Sequence, residues 1–198
     1  MTADQKIVRL KILLDHVEPK VERWLIVPLK IRLDRLHAVL QAAIGWTNSH
    51  LWEIRIGDLG WGPADPDGLF GDGPLDARKT TLQQALAQTG AKRFTYLYDF
   101  GDGWSHTVKL DKFETLPAGV DATFLVYAKG PCPPEDCGGP FGYAELIDAL
   151  RDPAHESHHD AFDILGARFN PNADPTRDCQ AAVERTVSRW IRKPRKPR

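Results

Sequence analysis

The chain has 198 residues, of which 26 are Lys or Arg and 27 are Asp or Glu, so its formal net charge is −1. Hydrophobic residues make up 42% and charged residues 27%, which are ordinary values for a chain that folds around its own core. These values exclude wholesale disorder, a collagen-like repeat and a strongly basic coat protein for nucleic acid.

The N-terminal part of the chain shows strand patterns around one helical pattern. Hydrophobic residues alternate at 6–14 and 22–27, which predicts two half-buried strands because strand side chains repeat every two residues. Apolar residues at helical spacing then predict a helix over 33–44, which Gly45 is well placed to end. A third strand is predicted at 50–56.

A long loop follows at residues 57–79, rich in Gly, Pro and Asp, and loops of this length are either functional or mobile. Thr80 or Thr81, together with Gln83 or Gln84, resembles a capping box and predicts a short helix that ends at Gly90. The later strands are predicted at 94–100, 106–113 and 123–129, and the later helices at 143–151, about 156–167 and 176–191. Strands come mostly first and helices last, which favours an α+β fold over a doubly wound sheet.

The densest chemistry lies in a predicted hairpin, at residues 98–106, which read YDFGDGWSH. If Asp102-Gly103 is a two-residue turn, Asp99 stands directly opposite His106. Side chains opposite each other on neighbouring strands are about 5 Å apart at Cβ, so the carboxylate would orient the imidazole. The same pair could equally brace the hairpin, and both interpretations stay open.

A second dense segment, at residues 131–143, places Glu135 and Asp136 on a loop shaped by prolines and glycines just before a helix. Such a loop can direct carboxylates and free amides at a ligand, or it can simply connect two elements with its acids in water. Cys132 and Cys137 are a poor zinc pair because no second pair follows. We therefore assign no metal ligand and no cofactor.

Other catalytic motifs are not supported. His155-Glu156-Ser157-His158-His159 matches the zinc-protease pattern formally, but no suitable third ligand follows and Pro153 suggests a solvated first helical turn. There is no G-x-S-x-G, no phosphate-binding glycine loop and no serine with an arginine cluster of the kind that recombination requires.

Compartment and tail can be read from composition. We expect neither a membrane span nor a secretory signal, and three cysteines are typical of a cytoplasmic protein. Residues 191–198 contain five basic residues and no acidic one, so the remaining 21 basic and 27 acidic residues leave a charge of −6 on the rest of the chain. We expect a disordered basic tail, and its residues Arg192, Lys193, Arg195, Lys196 and Arg198 could either contact nucleic acid non-specifically or simply keep the protein soluble.

Together, these segments resemble the plasmid pRiA4b ORF-3-like family, which is also labelled as a TnpR-like passenger protein of insertion elements. The matching segments run from about residue 6 to 185. They are Leu36-His37, Gly45-Trp46, His50-Leu51-Trp52-Glu53, the 98–106 motif, Cys132-Pro133-Pro134-Glu135-Asp136, Gly138-Gly139 and Gly142-Tyr143. Phe169-Asn170-Pro171 has Asn where the family pattern suggests Asp.

The resemblance implies a roll-like, mostly antiparallel curved sheet of about five or six strands packed by helices, with a helical C-terminal part. We expect one domain over residues 1–190 and a tail over 191–198. The resemblance implies no established activity, and the residues do not support the resolvase chemistry that the TnpR-like label suggests.

Our leading hypothesis is a non-enzymatic, mobile-element-associated module that binds an unidentified ligand or protein partner in a polar-aromatic pocket. The candidate ligand-binding residues are Asp99, Asp102, Trp104, His106, Glu135, Asp136, His50 and Glu53. The alternatives are a metal-assisted hydrolase that uses Asp99, His106, Glu135 and Asp136, and weak nucleic-acid binding through the tail.

Overall fold

A computed structural model describes residues 4–64, 73–117, 120, 122–166 and 169–190. Within these ranges the chain forms eight strands and five helices, which confirms the predicted α+β class. The strands are β1 (Gln5–Leu14), β2 (Glu22–Pro28), β3 (Trp52–Ile56), β4 (Leu59–Gly62), β5 (Leu75–Asp76), β6 (Arg93–Tyr98), β7 (Trp104–Leu116) and β8 (Phe124–Lys129). The helices are α1 (Leu33–Ile44), α2 (Leu82–Thr89), α3 (Gly139–Arg151), α4 (His158–Leu165) and α5 (Thr176–Ser188).

All eight strands belong to one open sheet in the order β5-β4-β3-β6-β7-β1-β2-β8. The pairings are antiparallel except for the short parallel pair of β4 and β5. These two strands account for the difference from the five or six strands expected. They lie in the segment that the sequence analysis predicted to be a loop, and they are too short for alternation to be recognised.

The sheet has two faces of different character because its side chains alternate. On the inner face, residues such as Leu10 and Val108 are fully buried and share one hydrophobic core with α1 and α5. On the outer face the alternate positions, among them Lys11 and Lys109, are partly or fully exposed. An antiparallel sheet commonly covers one face with helices and leaves the other to solvent.

Three helix ends follow the predicted signals, namely the end of α1 and both ends of α2. The side chain of Thr81 accepts a hydrogen bond from Gln84 N, and the Gln84 side chain accepts one from Thr81 N, so the capping box of α2 is confirmed. Gly90 ends this helix in the left-handed region, with φ of 65°. Gly45 ends α1 with φ of 121°, where a side chain would be strained and a Cβ would lie 3.0 Å from that of Cys132.

The helical C-terminal part is also as predicted, with α3, α4 and α5 in that order. His155 precedes α4, which begins at His158, so the residues of the zinc-protease pattern do not share one helix. None of the helices in the described ranges is both long and apolar enough to cross a lipid bilayer. The predicted tail at 191–198 lies outside the described residues.

Candidate functional site

Three loops meet at one end of the sheet. They follow α1 (residues 45–51), connect β6 to β7 (99–103), and connect β8 to α3 (130–138). Trp46 Nε1 donates a hydrogen bond to Pro133 O at 3.1 Å, and Asp99 N donates one to Leu51 O at 2.9 Å. At Gly139 the second and third loops approach so closely that a Cβ would lie 2.1 Å from Asp102 O. Residues distant in the sequence are therefore held together here.

One imidazole and three carboxylates lie at the centre of these loops, and we call His50, Asp99, Glu135 and Asp136 the three-loop site. His50 Nε2 is 3.1 Å from Asp136 Oδ1, 3.6 Å from Asp99 Oδ2 and 3.7 Å from Glu135 Oε2. This nitrogen is buried and makes no hydrogen bond within the described part of the chain. The Asp136 side chain is 74% exposed, against 10% for Asp99, so the site opens to solvent on the Asp136 side.

Asp99 is oriented by a tight turn. Its φ is +55°, in the left-handed region that Asp and Asn tolerate better than most residues. Its Oδ1 accepts hydrogen bonds from the backbone amides of Gly101 at 2.9 Å and Asp102 at 3.3 Å. Since Oδ1 is engaged in this turn, Oδ2 is the oxygen that faces His50.

The expected pairing of Asp99 with His106 is wrong. The register of β6 and β7 pairs Tyr98 with Trp104 and Tyr96 with His106, so the hairpin loop has five residues rather than two. The left-handed turn at Asp99 ends β6 earlier than the alternation indicates. Asp99 therefore belongs to the loop and faces a different histidine.

Glu135 is held by Thr47, in the loop after α1, and by Tyr98, the last residue of β6. Its Oε1 accepts hydrogen bonds from Thr47 N at 2.8 Å and Thr47 Oγ1 at 3.0 Å, and the Tyr98 hydroxyl donates to its carboxylate at 3.1 Å. Burial, with a smaller contribution from the Glu135 carboxylate, raises the pKa of Tyr98. The phenol therefore keeps its proton at neutral pH and remains a donor to this carboxylate.

A buried polar network fixes the loop that carries His50. His37 contacts the Tyr96 hydroxyl through Nδ1 at 2.9 Å and Asn48 Oδ1 through Nε2 at 2.6 Å. Because that amide oxygen only accepts, Nε2 carries the proton and Nδ1 accepts from the tyrosine. Gln41 donates to the same hydroxyl at 2.7 Å, and the His37 ring stacks on Trp52 with a centroid distance of 3.9 Å.

Arg23 connects the bases of two of the loops. Its guanidinium is fully buried and donates to the carbonyls of Ala43 at 2.6 Å and Ile44 at 3.2 Å, where α1 ends. It also donates to Lys129 O at 2.7 Å and Gly130 O at 3.0 Å, where β8 ends. Burial lowers the pKa of Arg23, but a guanidinium keeps its charge in proteins, so it complements the negative end of the helix dipole.

The structure places His106 and Trp104 in the core rather than at the three-loop site. Both are fully buried, and the ring of Trp46 packs against both. Its ring centroid lies 5.5 Å from that of Trp104 and 5.3 Å from that of His106. His106 Nδ1 donates to Tyr96 O at 2.9 Å, and burial lowers the pKa of His106 to about 4, so the imidazole is neutral at pH 7. Period-two alternation directs residues 104 and 106 of β7 to the inner face.

The remaining predicted residues lie outside the contacts of His50. Asp102 is on the hairpin loop near Cys137, whose pKa is raised to about 11 mainly by burial and partly by this carboxylate. Glu53 bonds to Arg55 at 2.8 Å and lies against Gly60. Since Trp52 stacks inside on His37, its neighbour Glu53 faces the opposite side of the sheet, away from the expected pocket.

The three-loop site has the donors and the charge of a cation site. The ligand atoms of His50, Asp99 and Asp136 all lie within 4.8 Å of one another. Two atoms that each lie about 2.1 Å from one ion are about 3.0–3.6 Å apart when the angle at the ion is about 90–120°. The distances from His50 Nε2 to Asp136 and Asp99, 3.1 and 3.6 Å, fall in this range. The negative charges of three carboxylates outnumber the single positive charge that the His50 ring can carry. The electrostatic field at the three-loop site therefore favours a cation.

Sequence reasoning named the four central residues but missed the residues that hold them. Thr47 and Tyr98 bind Glu135, and His37 with Asn48 fixes the loop after α1. One signal was available, since Thr47-Asn48-Ser49 is a run of hydrogen-bonding side chains between a helix end and His50. Thr47 and Glu135 are 88 positions apart in the sequence, so no local sequence pattern predicts that they are in contact.

Comparison with known proteins finds the same family that the sequence segments resemble. The family model described as plasmid pRiA4b ORF-3-like protein matches residues 6–177. The chain is 51% identical over 192 residues to the uncharacterized protein y4hQ of Sinorhizobium fredii, covering 96% of this chain and 97% of that protein. The crystal structure of MM3350, a protein of unknown function from Methanosarcina mazei Go1, has a TM-score of 0.79 at 28% identity and covers 89% of this chain and 98% of that one. The chain therefore belongs to the plasmid pRiA4b ORF-3-like family.

Proposed function

We propose that this protein is a binding module that holds a divalent metal ion at the three-loop site. The observation that carries the proposal is the position of His50 Nε2, which is buried, makes no hydrogen bond to any residue that the structure describes, and lies 3.1–3.7 Å from three carboxylates. An imidazole nitrogen in this position can donate its lone pair to an ion that the carboxylates share. From the sequence we assigned no metal ligand, and the metal-assisted alternative considered there used His106, which lies in the core, instead of His50.

The donor set favours a first-row transition ion over Mg²⁺. Carboxylate oxygens suit Mg²⁺, Ca²⁺ and Mn²⁺, whereas an imidazole nitrogen suits Zn²⁺, Fe²⁺ and the ions near them. A site with one nitrogen and two or three carboxylates is compatible with Mn²⁺ and Zn²⁺. The exposed Asp136 side leaves room for water or a ligand atom at the ion.

Calorimetric titration of chelator-treated protein with Mn²⁺ and Zn²⁺ tests the proposal. We expect one equivalent to bind, more tightly than Mg²⁺, and to raise the melting temperature, because an ion that binds only the folded state stabilises it. His50→Ala should weaken binding at least about tenfold, since it removes the nitrogen donor. Asp99→Asn should weaken binding while leaving stability nearly unchanged, because Asn accepts the same turn hydrogen bonds and tolerates a positive φ.

The control is His159→Ala, which removes an 87% exposed histidine far from the three loops in the sequence and should leave metal affinity unchanged. Absence of binding at millimolar Mn²⁺ and Zn²⁺ would contradict the proposal. Equal weakening by His50→Ala and His159→Ala would also contradict it, because binding would then reflect histidines in general.

We infer that the module acts in the cytoplasm and in association with plasmids or other mobile elements. The family description supports the association with plasmids. Three free cysteines, two of them beside the three-loop site at 132 and 137, support a reducing compartment. We favour a non-enzymatic role, in which the ion organises a contact with a ligand or a protein partner.

A cavity beside the three-loop site favours metal-assisted hydrolysis as a second candidate. It has a volume of about 470 Å³, within the usual range for small-molecule sites, and Glu135 and Asp136 form part of its lining. An ion held by Glu135 and Asp136 at the side of this cavity could activate a water molecule. The test is hydrolysis of chromogenic phosphate and carboxylate esters by Mn²⁺-loaded protein. Hydrolysis by the wild type that is lost in His50→Ala would support this second candidate. Hydrolysis by the wild type that is no faster than that of His50→Ala would contradict it.

A further inference from the structure

The outer face of the sheet carries a row of cations on three neighbouring strands. Lys11 of β1 pairs with Lys109 of β7, and Lys109 pairs in turn with Arg93 of β6. Residues paired in this way have their Cβ atoms about 5 Å apart on the same face, and like charges directly opposite each other destabilise a sheet. A row of three such charges therefore lowers the stability of the sheet unless an anion neutralises it.

These cations line two concave surfaces. The first is a cavity of about 430 Å³ lined by Lys11, Lys20, Arg93 and Lys109, and Glu22 is the one acid among the described residues of its lining. The second, of about 590 Å³, shares Arg93 and Lys109 with the first and adds Lys92. We call the five cations Lys11, Lys20, Lys92, Arg93 and Lys109 the cationic cradle.

Residues that the structure describes neutralise little of this charge. Lys11 lies 3.5 Å from Asp111 Oδ2, and the same carboxylate also binds Arg9. Across the described ranges, the other four cations of the cradle form no ion pair. Glu22, the one acid in the lining, accepts a hydrogen bond from Trp24 Nε1 at 2.6 Å. The whole chain has a net charge of −1, so this cluster of five cations is a local excess of positive charge.

We propose that the cationic cradle binds a small phosphate-bearing anion, of the pyrophosphate or nucleoside polyphosphate class. Both cavities have the size of small-molecule sites. A guanidinium binds phosphate oxygens in a bidentate manner, and ammonium groups add point charges around it. A ligand with several negative charges would neutralise the repulsion along the row, which a single carboxylate would do only in part. This site is separate from the three-loop site and does not depend on the proposed metal.

Calorimetric titration of metal-free protein with inorganic pyrophosphate, at an ionic strength of about 0.1 M, tests this proposal. We expect Arg93→Gln/Lys109→Gln to weaken binding at least about tenfold, since hydrogen bonds to charged groups contribute strongly. The matched control Lys30→Gln/Arg177→Gln removes two exposed cations that line neither cavity and changes the net charge equally. It should stay within about twofold of the wild type, because exposed charges at a distance are screened by salt.

A stability measurement separates loss of binding from loss of folding. Without ligand, Arg93→Gln/Lys109→Gln should melt at or above the wild-type temperature, because it removes repulsion within the row. Pyrophosphate should raise the melting temperature of the wild type but not that of this variant. No binding at millimolar pyrophosphate, equal weakening by the two double variants, or tight binding of single-stranded DNA without binding of pyrophosphate would each overturn the proposal.

Discussion

At the scale of single residues, the surroundings of each histidine decide its role. His37 and His106 are buried among aromatic rings on the inner face of the sheet, and burial lowers the pKa of each to about 4. Each uses Nδ1 or Nε2 to hold a hydrogen bond that fixes local structure. His50, in contrast, is 27% exposed and faces carboxylates, which is why we assign the ligand role to it.

The two buried histidines should make the protein sensitive to mild acid. In the unfolded chain each imidazole titrates near pH 6.5, whereas in the folded state each titrates at about pH 4. Between these values the unfolded state binds more protons, so the free energy of unfolding falls as the pH decreases. The loss should approach about 3 kcal/mol for each histidine and should cease below about pH 4.

Urea unfolding at pH 7.0 and pH 4.5 measures this loss. His106→Asn keeps a donor for Tyr96 O but does not titrate, so its loss between the two pH values should be about 2–3 kcal/mol smaller than that of the wild type. The exposed His159→Asn serves as the control and should behave as the wild type. An unchanged pH dependence in His106→Asn would show that this imidazole is not held neutral by the fold.

At the scale of elements, a buried arginine connects the end of α1 with the end of β8, where two of the three loops of the three-loop site begin. The Arg23 guanidinium donates to carbonyls at both ends. We expect Arg23→Met to reduce the free energy of unfolding by about 3 kcal/mol or more, because several buried carbonyls lose their donor. Since both loops lose an anchor, Mn²⁺ affinity should also fall, although Arg23 is not a ligand.

The control for this prediction is Arg55→Met. Arg55 is 62% exposed and binds Glu53 on the outer face, so its loss should cost less than about 1 kcal/mol and leave Mn²⁺ affinity unchanged. Urea unfolding and calorimetric titration, below the melting temperature of each variant, give the two quantities. Reduced stability with wild-type affinity in Arg23→Met would show that the loops are anchored by other contacts.

Some features of these elements can be predicted from the sequence and others cannot. The first helix, its end at Gly45 and the capping box at Thr81 were predictable because caps and helical periodicity are local signals. The register of the hairpin was not, because it depends on the left-handed backbone at Asp99, which alternation alone does not reveal. Glu135 and Asp136 were correctly placed on a loop before a helix, but their approach to His50 depends on how three loops pack.

At the scale of the whole molecule, near-neutrality results from charges that are separated in space and along the chain. The acids of the three-loop site lie at one end of the sheet, and the cationic cradle lies on its outer face. Five further basic residues are in the sequence at 191–198. We therefore propose two distinct sources of attraction for phosphate, the cationic cradle and the basic residues at 191–198, while the charge of −6 on residues 1–190 opposes long-range attraction of nucleic acid.

Removal of residues 191–198 should distinguish these two sources. We predict that the truncated protein no longer binds a DNA column at low salt, because five of the 26 basic residues are lost and the rest of the chain repels the polyanion. Retention of the full chain should decrease steeply as salt rises, as expected for phosphate contacts that release counterions. Pyrophosphate affinity should stay within about twofold after truncation, since the cradle is built from strands of the sheet.

The two measurements have independent outcomes. Unchanged DNA retention after truncation would contradict the role of Arg192, Lys193, Arg195, Lys196 and Arg198, and it would direct attention to the cradle as a nucleic-acid surface. A loss of pyrophosphate binding after truncation would contradict the assignment of that ligand to the cradle. Loss of DNA retention alone would mean that the tail supplies general attraction to phosphate, while the row of Lys11, Lys109 and Arg93 selects a small anion.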